Sequence, residues 1–199
     1  MWKVFPFSNY FLFADESYRP EQMWDFTREH GYDKFYVAVN REDESSWKIA
    51  EGIRANRERT GLELAAAYVV VDMNDPNPDG AHTIEEVMDQ LDEGDILELA
   101  LKVGWKESVS DPAMDPKAIE LLERYLPIAK SRRLKISLYH HFGFYAERFS
   151  DCVRVAKKIE DPDLGGAFCG GTTLGRRARS KGLFACEKRQ PFVLLRRQA

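Results

Sequence analysis

The groups best suited to chemistry are two adjacent histidines, in the run Tyr139-His140-His141-Phe142-Gly143. A neutral imidazole binds divalent transition metals and exchanges protons with hydroxyls near neutral pH. The competing reading is a pair of packed or surface histidines at a strand end. Lys102 closes an apolar run, DILELALKV, that also holds Glu98. If the run is a strand, residues 98, 100 and 102 share one face. At the strand end the Lys102 ammonium is placed to polarise a carbonyl or stabilise an enediolate. Its competing reading is a structural ion pair or an exposed edge position. Asn9, near the end of the first apolar run, is of the type that binds a sugar hydroxyl, or else a turn residue. Asp72 and Asp75 open a loop, where aspartates more often form turns and caps. Glu147 and Asp151 read as a solvated helix face. Trp24, Phe26 and Tyr32 read as core.

These groups need a scaffold, and the pattern along the chain supplies one. Apolar runs at 4–13, 34–40, 62–71, 95–103, 135–141 and 164–168 read as strands. Helices fall between them at 20–30, 43–59, 83–92, 115–134 and 149–159, with apolar residues at helical spacing. Pro20 suits a helix start, and Gly31 and Gly61 suit helix stops. Thr83 with Glu86 forms a capping-box pattern. Pro127 predicts a kink. The run 72–80, DMNDPNPDG, is the clearest loop. Near-continuous apolar strands alternating with helices indicate parallel βαβ units. Two α/β layouts fit, an open doubly wound sheet or a (β/α) barrel. No GxGxxG follows the first strand and no P-loop motif is present, which weakens the dinucleotide and nucleotide readings.

The 199 residues suit one domain. A net charge of −4 argues against nucleic acid as the partner. Three cysteines without CxxC spacing give neither a disulfide framework nor a zinc signature. With no secretory signal pattern at the start and no apolar run long enough to span a bilayer, the expectation is a cytoplasmic chain with no membrane partner.

From Tyr139 onward the chain resembles a known family. Tyr139-His140-His141-Phe142-Gly143, the helix behind it, and Pro162-Asp163-Leu164-Gly165 leading into the sixth strand are similar to the sugar phosphate isomerase/epimerase family, the xylose-isomerase-like barrels. Phe7-Ser8-Asn9 and His30-Gly31-Tyr32-Asp33 agree more loosely. The resemblance covers roughly residues 1–168. It implies an incomplete (β/α) TIM-type barrel of about six βα units with its site at the C-terminal ends of the strands. It also implies a carbohydrate substrate, aldose–ketose isomerisation or epimerisation through an enediolate, and a divalent metal (Mn, Co, Mg or Zn). By the family pattern His141 faces inward, as metal ligand or hydroxyl donor. Lys102 is the second catalytic candidate, and Asn9 and His140 are substrate-binding candidates.

The chain departs from the family after Phe168. The expected histidine element at the end of the sixth strand is replaced by Cys169-Gly170-Gly171-Thr172. Residues 169–199 carry eight Lys and Arg against one acid, Glu187. The expectation is therefore two segments: a partial barrel over 1–168, and a basic tail over 169–199 that is disordered or non-native, of the kind a frameshift produces. A barrel lacking its last strands would be inactive, and its open edges would favour a homo-oligomer. The alternative from a different class is a non-catalytic barrel remnant or carbohydrate-binding protein. An endonuclease-like relative of the same superfamily fits less well, given the acidic body.

Overall fold

The computed structural model describes residues 5–9, 11, 19–104, 109–169 and 173. In chain order these form α1 (Pro20–Glu29), β1 (Lys34–Val39), α2 (Glu44–Glu51), α3 (Ile53–Thr60), β2 (Glu63–Asp72), α4 (Ile84–Asp89), β3 (Ile96–Lys102), a 3-10 turn (Pro112–Met114), α5 (Asp115–Ser131), β4 (Lys135–Tyr139), α6 (Phe149–Ile159) and β5 (Leu164–Ala167).

The five strands make one parallel sheet in the order β1-β2-β3-β4-β5. A doubly wound sheet reverses its strand order at a switch point. The described strands never do, and their sequential parallel winding is a pattern that (β/α) barrels share. Alternation then sorts the strand side chains into two sets. Phe35, Val37, Val39, Val69, Val71, Leu97, Leu99, Leu101, Ile136 and Leu138 pack with the apolar stripes of the helices in one core. Tyr36, Ala38, Ala66, Tyr68, Ala100, Tyr139 and Ala167 form a second cluster with Phe5 and Phe144, and no helix contributes to it among the described residues. Helices cover one face, and the other face is the inner one.

Local chemistry explains most boundaries. Pro20 stands in the first turn of α1, and His30 and Gly31 end it, Gly31 at φ 76°. Thr83 and Glu86 close the expected capping box on α4. Gly61, left-handed at φ 71°, stops α3. The single helix expected over 43–59 is two, broken at Gly52. The helix interior costs glycine conformational freedom, and the Gly52 carbonyl there takes the Asn56 amide at 2.9 Å. α5 runs on through Pro127 as one helix.

The first strand differs from expectation. Among the described residues 5–9 and 11, only Phe7 pairs in a β manner, through an isolated parallel bridge to Tyr36, and Ser8 and Asn9 are already helical. The Ser8 hydroxyl accepts the Ala38 N–H at 2.8 Å, so a side chain does there what a strand carbonyl would do. β1 and β2 also slip register by one residue between Phe35 and Tyr36, at Ala65. Phe26, expected in the core, is 38% exposed and stacks on His30. Asp151, expected in solvent, is buried because three groups converge on it: the Ser110 hydroxyl, the Arg148 N–H and the Arg154 guanidinium. No helix among the described residues is long and apolar enough to cross a membrane. The expectation about the basic tail falls on residues that, apart from Cys169 and Thr173, lie outside the described ones.

Candidate functional site

Four chemistry-bearing positions gather at the C-terminal ends of β2, β3 and β4. Asp72 and Lys102 are the last residues of β2 and β3 and direct partners across the two strands. They continue the inner-face series Tyr68, Val70, Asp72 and Glu98, Ala100, Lys102. His140 and His141 follow directly on β4. A turn over 140–148 then folds back over the end of β3, where the Tyr145 N–H donates to the Leu101 carbonyl at 3.1 Å. Within the turn the His141 N–H bonds the Ala146 carbonyl at 2.9 Å, and Gly143 takes φ 78°, open to glycine without strain.

The two histidines part company as strand alternation requires. His140 is fully buried. Its Nε2 accepts the Cys169 N–H at 2.8 Å, so the proton must sit on Nδ1, which donates to the Glu147 carbonyl at 3.2 Å. Burial lowers its basicity, which keeps it neutral at pH 7. Both ring nitrogens are thus engaged by backbone groups, and His140 ties the end of β4 to the end of β5.

His141 lies on the inner side, against the Phe144 ring at 4.3 Å and the Tyr139 ring at 6.4 Å. Its Nδ1 faces the Phe142 carbonyl at 3.0 Å. A carbonyl can only accept, so Nδ1 carries the proton and Nε2 keeps its lone pair. Burial lowers the basicity of this ring too, and the bond to Phe142 opposes that in part. This is the arrangement in which a histidine serves as a metal ligand or hydroxyl acceptor.

A metal needs companions, however. Among the described residues no group of three or more His, Cys, Asp or Glu side chains could hold a metal ion. The described residues by themselves do not fit a resident divalent metal.

Below this end the inner face is aromatic. Tyr68 meets Tyr139 edge to face at 5.0 Å. Burial pushes both phenols well above their ordinary range, and for Tyr139 the adjacent Cys169 thiol adds to the rise. Glu98 is fully buried at this level, between its strand partners Tyr68 and Ser137, and accepts a hydrogen bond from the Tyr36 hydroxyl. The shared face of Glu98 and Lys102 is as expected. Asn9 is half-buried in the helical turn after Phe7.

Two supporting groups escaped sequence reasoning. Asp115, buried at the start of α5, accepts from the Tyr145 hydroxyl, from Arg154 at 2.9 and 3.0 Å, and from Lys158 at 2.8 Å. It anchors the turn that carries His141. The signal available was Arg154 and Lys158 at i, i+4 on one helix face. Arg41, buried after β1, donates to the Pro76 and His82 carbonyls at 2.7 and 2.6 Å and to the Asn77 side chain at 3.0 Å, pinning the loop over 73–83. No spacing pattern marks it.

No family model matches the chain, and no curated protein does. Among solved structures it is similar to two sugar epimerases. One is 3-keto-D-glucoside 4-epimerase from E. coli in its apo form, at 13% identity and a TM-score of 0.53, covering 74% of this chain and 62% of that one. The other is D-allulose 3-epimerase from Methylomonas sp., at 10% identity and a TM-score of 0.53, covering 74% of this chain and 55% of that one. The chain therefore spans less than two thirds of the length of either. At these identities the likeness is one of fold, and it agrees with the sequential parallel winding of the described strands.

Proposed function

We propose that this chain acts on a carbohydrate as a sugar epimerase or isomerase, moving a proton at the carbon beside a carbonyl. One observation carries the reading. Lys102, Asp72 and His141 stand at the C-terminal ends of consecutive strands in a sheet similar in fold to two sugar epimerases. In barrels that end is where function lies. The Asp72 carboxylate, cross-strand partner of Lys102, takes the proton from the carbon beside the carbonyl and returns it; while it is held, negative charge develops on the carbonyl oxygen, and the Lys102 ammonium is the group to stabilise it. The His141 Nε2 lone pair receives a substrate hydroxyl proton. His140 holds the strand ends in place.

The test is exchange of substrate carbon-bound hydrogen in deuterium oxide, followed by NMR, over a panel of ketoses with and without added Mn²⁺. Exchange should occur with at least one ketose and fall about 100-fold in Lys102→Met, the usual cost of losing one oxyanion donor. No exchange with any ketose, or exchange indifferent to Lys102→Met, sinks the reading. The second reading is a non-catalytic carbohydrate-binding barrel wall. It expects saturable ketose binding without exchange.

A further inference from the structure

The loop between β2 and α4 ends at His82, whose side chain has unusual company. Its imidazole lies flat on the Trp47 indole, centroids 3.8 Å apart and planes 8° from parallel. Its two ring nitrogens face two carboxylates from different helices: Nε2 is 3.7 Å from Glu44 of α2, and Nδ1 is 3.8 Å from Glu86 of α4. The Trp47 N–H is held separately by Glu51 at 3.1 Å. The backbone of His82 is bound on both sides to Arg41. Its N–H donates to the Arg41 carbonyl at 3.0 Å, and its carbonyl accepts from the Arg41 guanidinium at 2.6 Å. The charged groups around the ring are thus the acids Glu44 and Glu86, with Glu51 behind the indole and one buried cation, Arg41, on the backbone side.

We propose that His82 is a protonation-controlled clasp that fastens the loop over 73–83 to α2 and α4. Only the charged imidazolium presents an N–H to each carboxylate at once. The neutral ring has one N–H and one lone pair, so one of the two acids then faces an electron pair. The flat indole beneath adds to the preference, because an aromatic face attracts a cation more strongly than a neutral ring. Glu86 itself is held below the usual carboxylate range, by the Thr83 backbone first and by His82 among the further causes. Loss of the proton removes two ion pairs and the cation–π contact together. Arg41, the Asn77 side chain between Tyr125 and Ile84, the Lys117–Asn74 bond and the capping box of α4 then hold the loop without the His82 side chain.

The loop sits at the same sheet end as Asp72 and Lys102, so the clasp controls how firmly that end is closed. The inference stands on the Trp47–His82–Glu44–Glu86 geometry alone and does not depend on any activity.

The experiment uses the full chain. Amide hydrogen exchange of His82 and Ala81, whose N–H groups bond the Arg41 and Pro78 carbonyls, is measured from pH 5.5 to 8.5 and corrected for intrinsic exchange. Trp47 emission is followed in parallel, with Trp47→Phe to identify its share. A stacked imidazolium quenches indole emission more than a neutral ring does. The expected result is about a fivefold loss of protection on raising the pH, in keeping with two exposed ion pairs, together with a rise in Trp47 emission. In His82→Gln both responses should be flat. Glu44→Gln, at a largely exposed site where folding is not at risk, should shrink the protection change by about twofold. Protection that does not change with pH in the parent chain, or a change that survives in Glu44→Gln at full size, overturns the proposal.

Discussion

Replacing Asp115 by asparagine should destabilise the protein by an amount that depends on pH in a calculable way. The Asp115 carboxylate is buried and accepts hydrogen bonds from Tyr145, Arg154 and Lys158. Burial alone would raise its pKa. The bonds from Arg154, Lys158 and Tyr145 outweigh that and hold it at about 2, against an ordinary 3.8. At 1.36 kcal/mol per unit, the ionised form contributes about 2 kcal/mol to stability. Because the folded pKa is the lower one, that contribution is present above the ordinary carboxylate range and is lost as the pH falls from about 4 to 2. Removing one partner of a fully buried pair costs about 3–5 kcal/mol. Arg154 and Lys158 reach solvent, at 26% and 47% side-chain exposure, so water can take over part of their solvation. The expected loss for Asp115→Asn is therefore about 2–3 kcal/mol at pH 7, or a fall in Tm of about 4–12 °C for a chain of this size. Urea unfolding of both proteins at pH 7 and pH 2 measures it. The gap should shrink below about 1 kcal/mol at pH 2, where the parent carboxylate is half protonated. Other acids held low, such as Asp43 and Asp161, weaken both proteins alike and cancel in the difference. A gap of equal size at both pH values would mean that shape and not charge matters at Asp115. A gap under about 0.5 kcal/mol at pH 7 would mean that the network does not stabilise the fold.

Gly166→Ala should cost about 1–3 kcal/mol, read as a shift in urea midpoint. Its added Cβ would come within 3.2 Å of the Cys152 Cβ and 3.4 Å of the Phe149 ring. His140→Phe keeps a ring but removes the Nε2 that accepts the buried Cys169 N–H, and should cost about 1–3 kcal/mol; unchanged stability would remove His140 as the tie between β4 and β5. Burial pushes the Cys152 thiol up to about 12. It should therefore resist alkylation at pH 8 in the folded protein and react once urea unfolds it, as mass spectrometry after digestion would show.

Much of the fold was legible because its causes are local. Pro20, Gly31, Gly61 and the Thr83–Glu86 box act within one helical turn, and each sits at the boundary its chemistry predicts. Strand alternation placed Glu98 and Lys102 on one face, and set His140 and His141 on opposite sides of the β4 end, because successive Cβ atoms must point opposite ways. What was misread depends on partners far along the chain. Asp151 looked solvated until Ser110 arrived from 41 residues away. The first strand looked long until the Ser8 hydroxyl took the place of its ladder at Ala38. Gly52 divided a helix that periodicity alone continues.

The amino-acid sequence by itself determined the βα alternation, the helix ends marked by Pro20, Gly31, Gly61 and the Thr83–Glu86 box, and the shared face of Glu98 and Lys102, since these follow from backbone sterics and from spacing within a few residues. Only the tertiary structure decided that the strands follow one another in order, that Asp115 anchors the His141 turn, and that His140 spends both nitrogens on backbone. Those outcomes depend on which of several equally apolar or equally charged partners meet in space, a choice that burial energy and hydrogen-bond geometry make only once the chain has closed on itself.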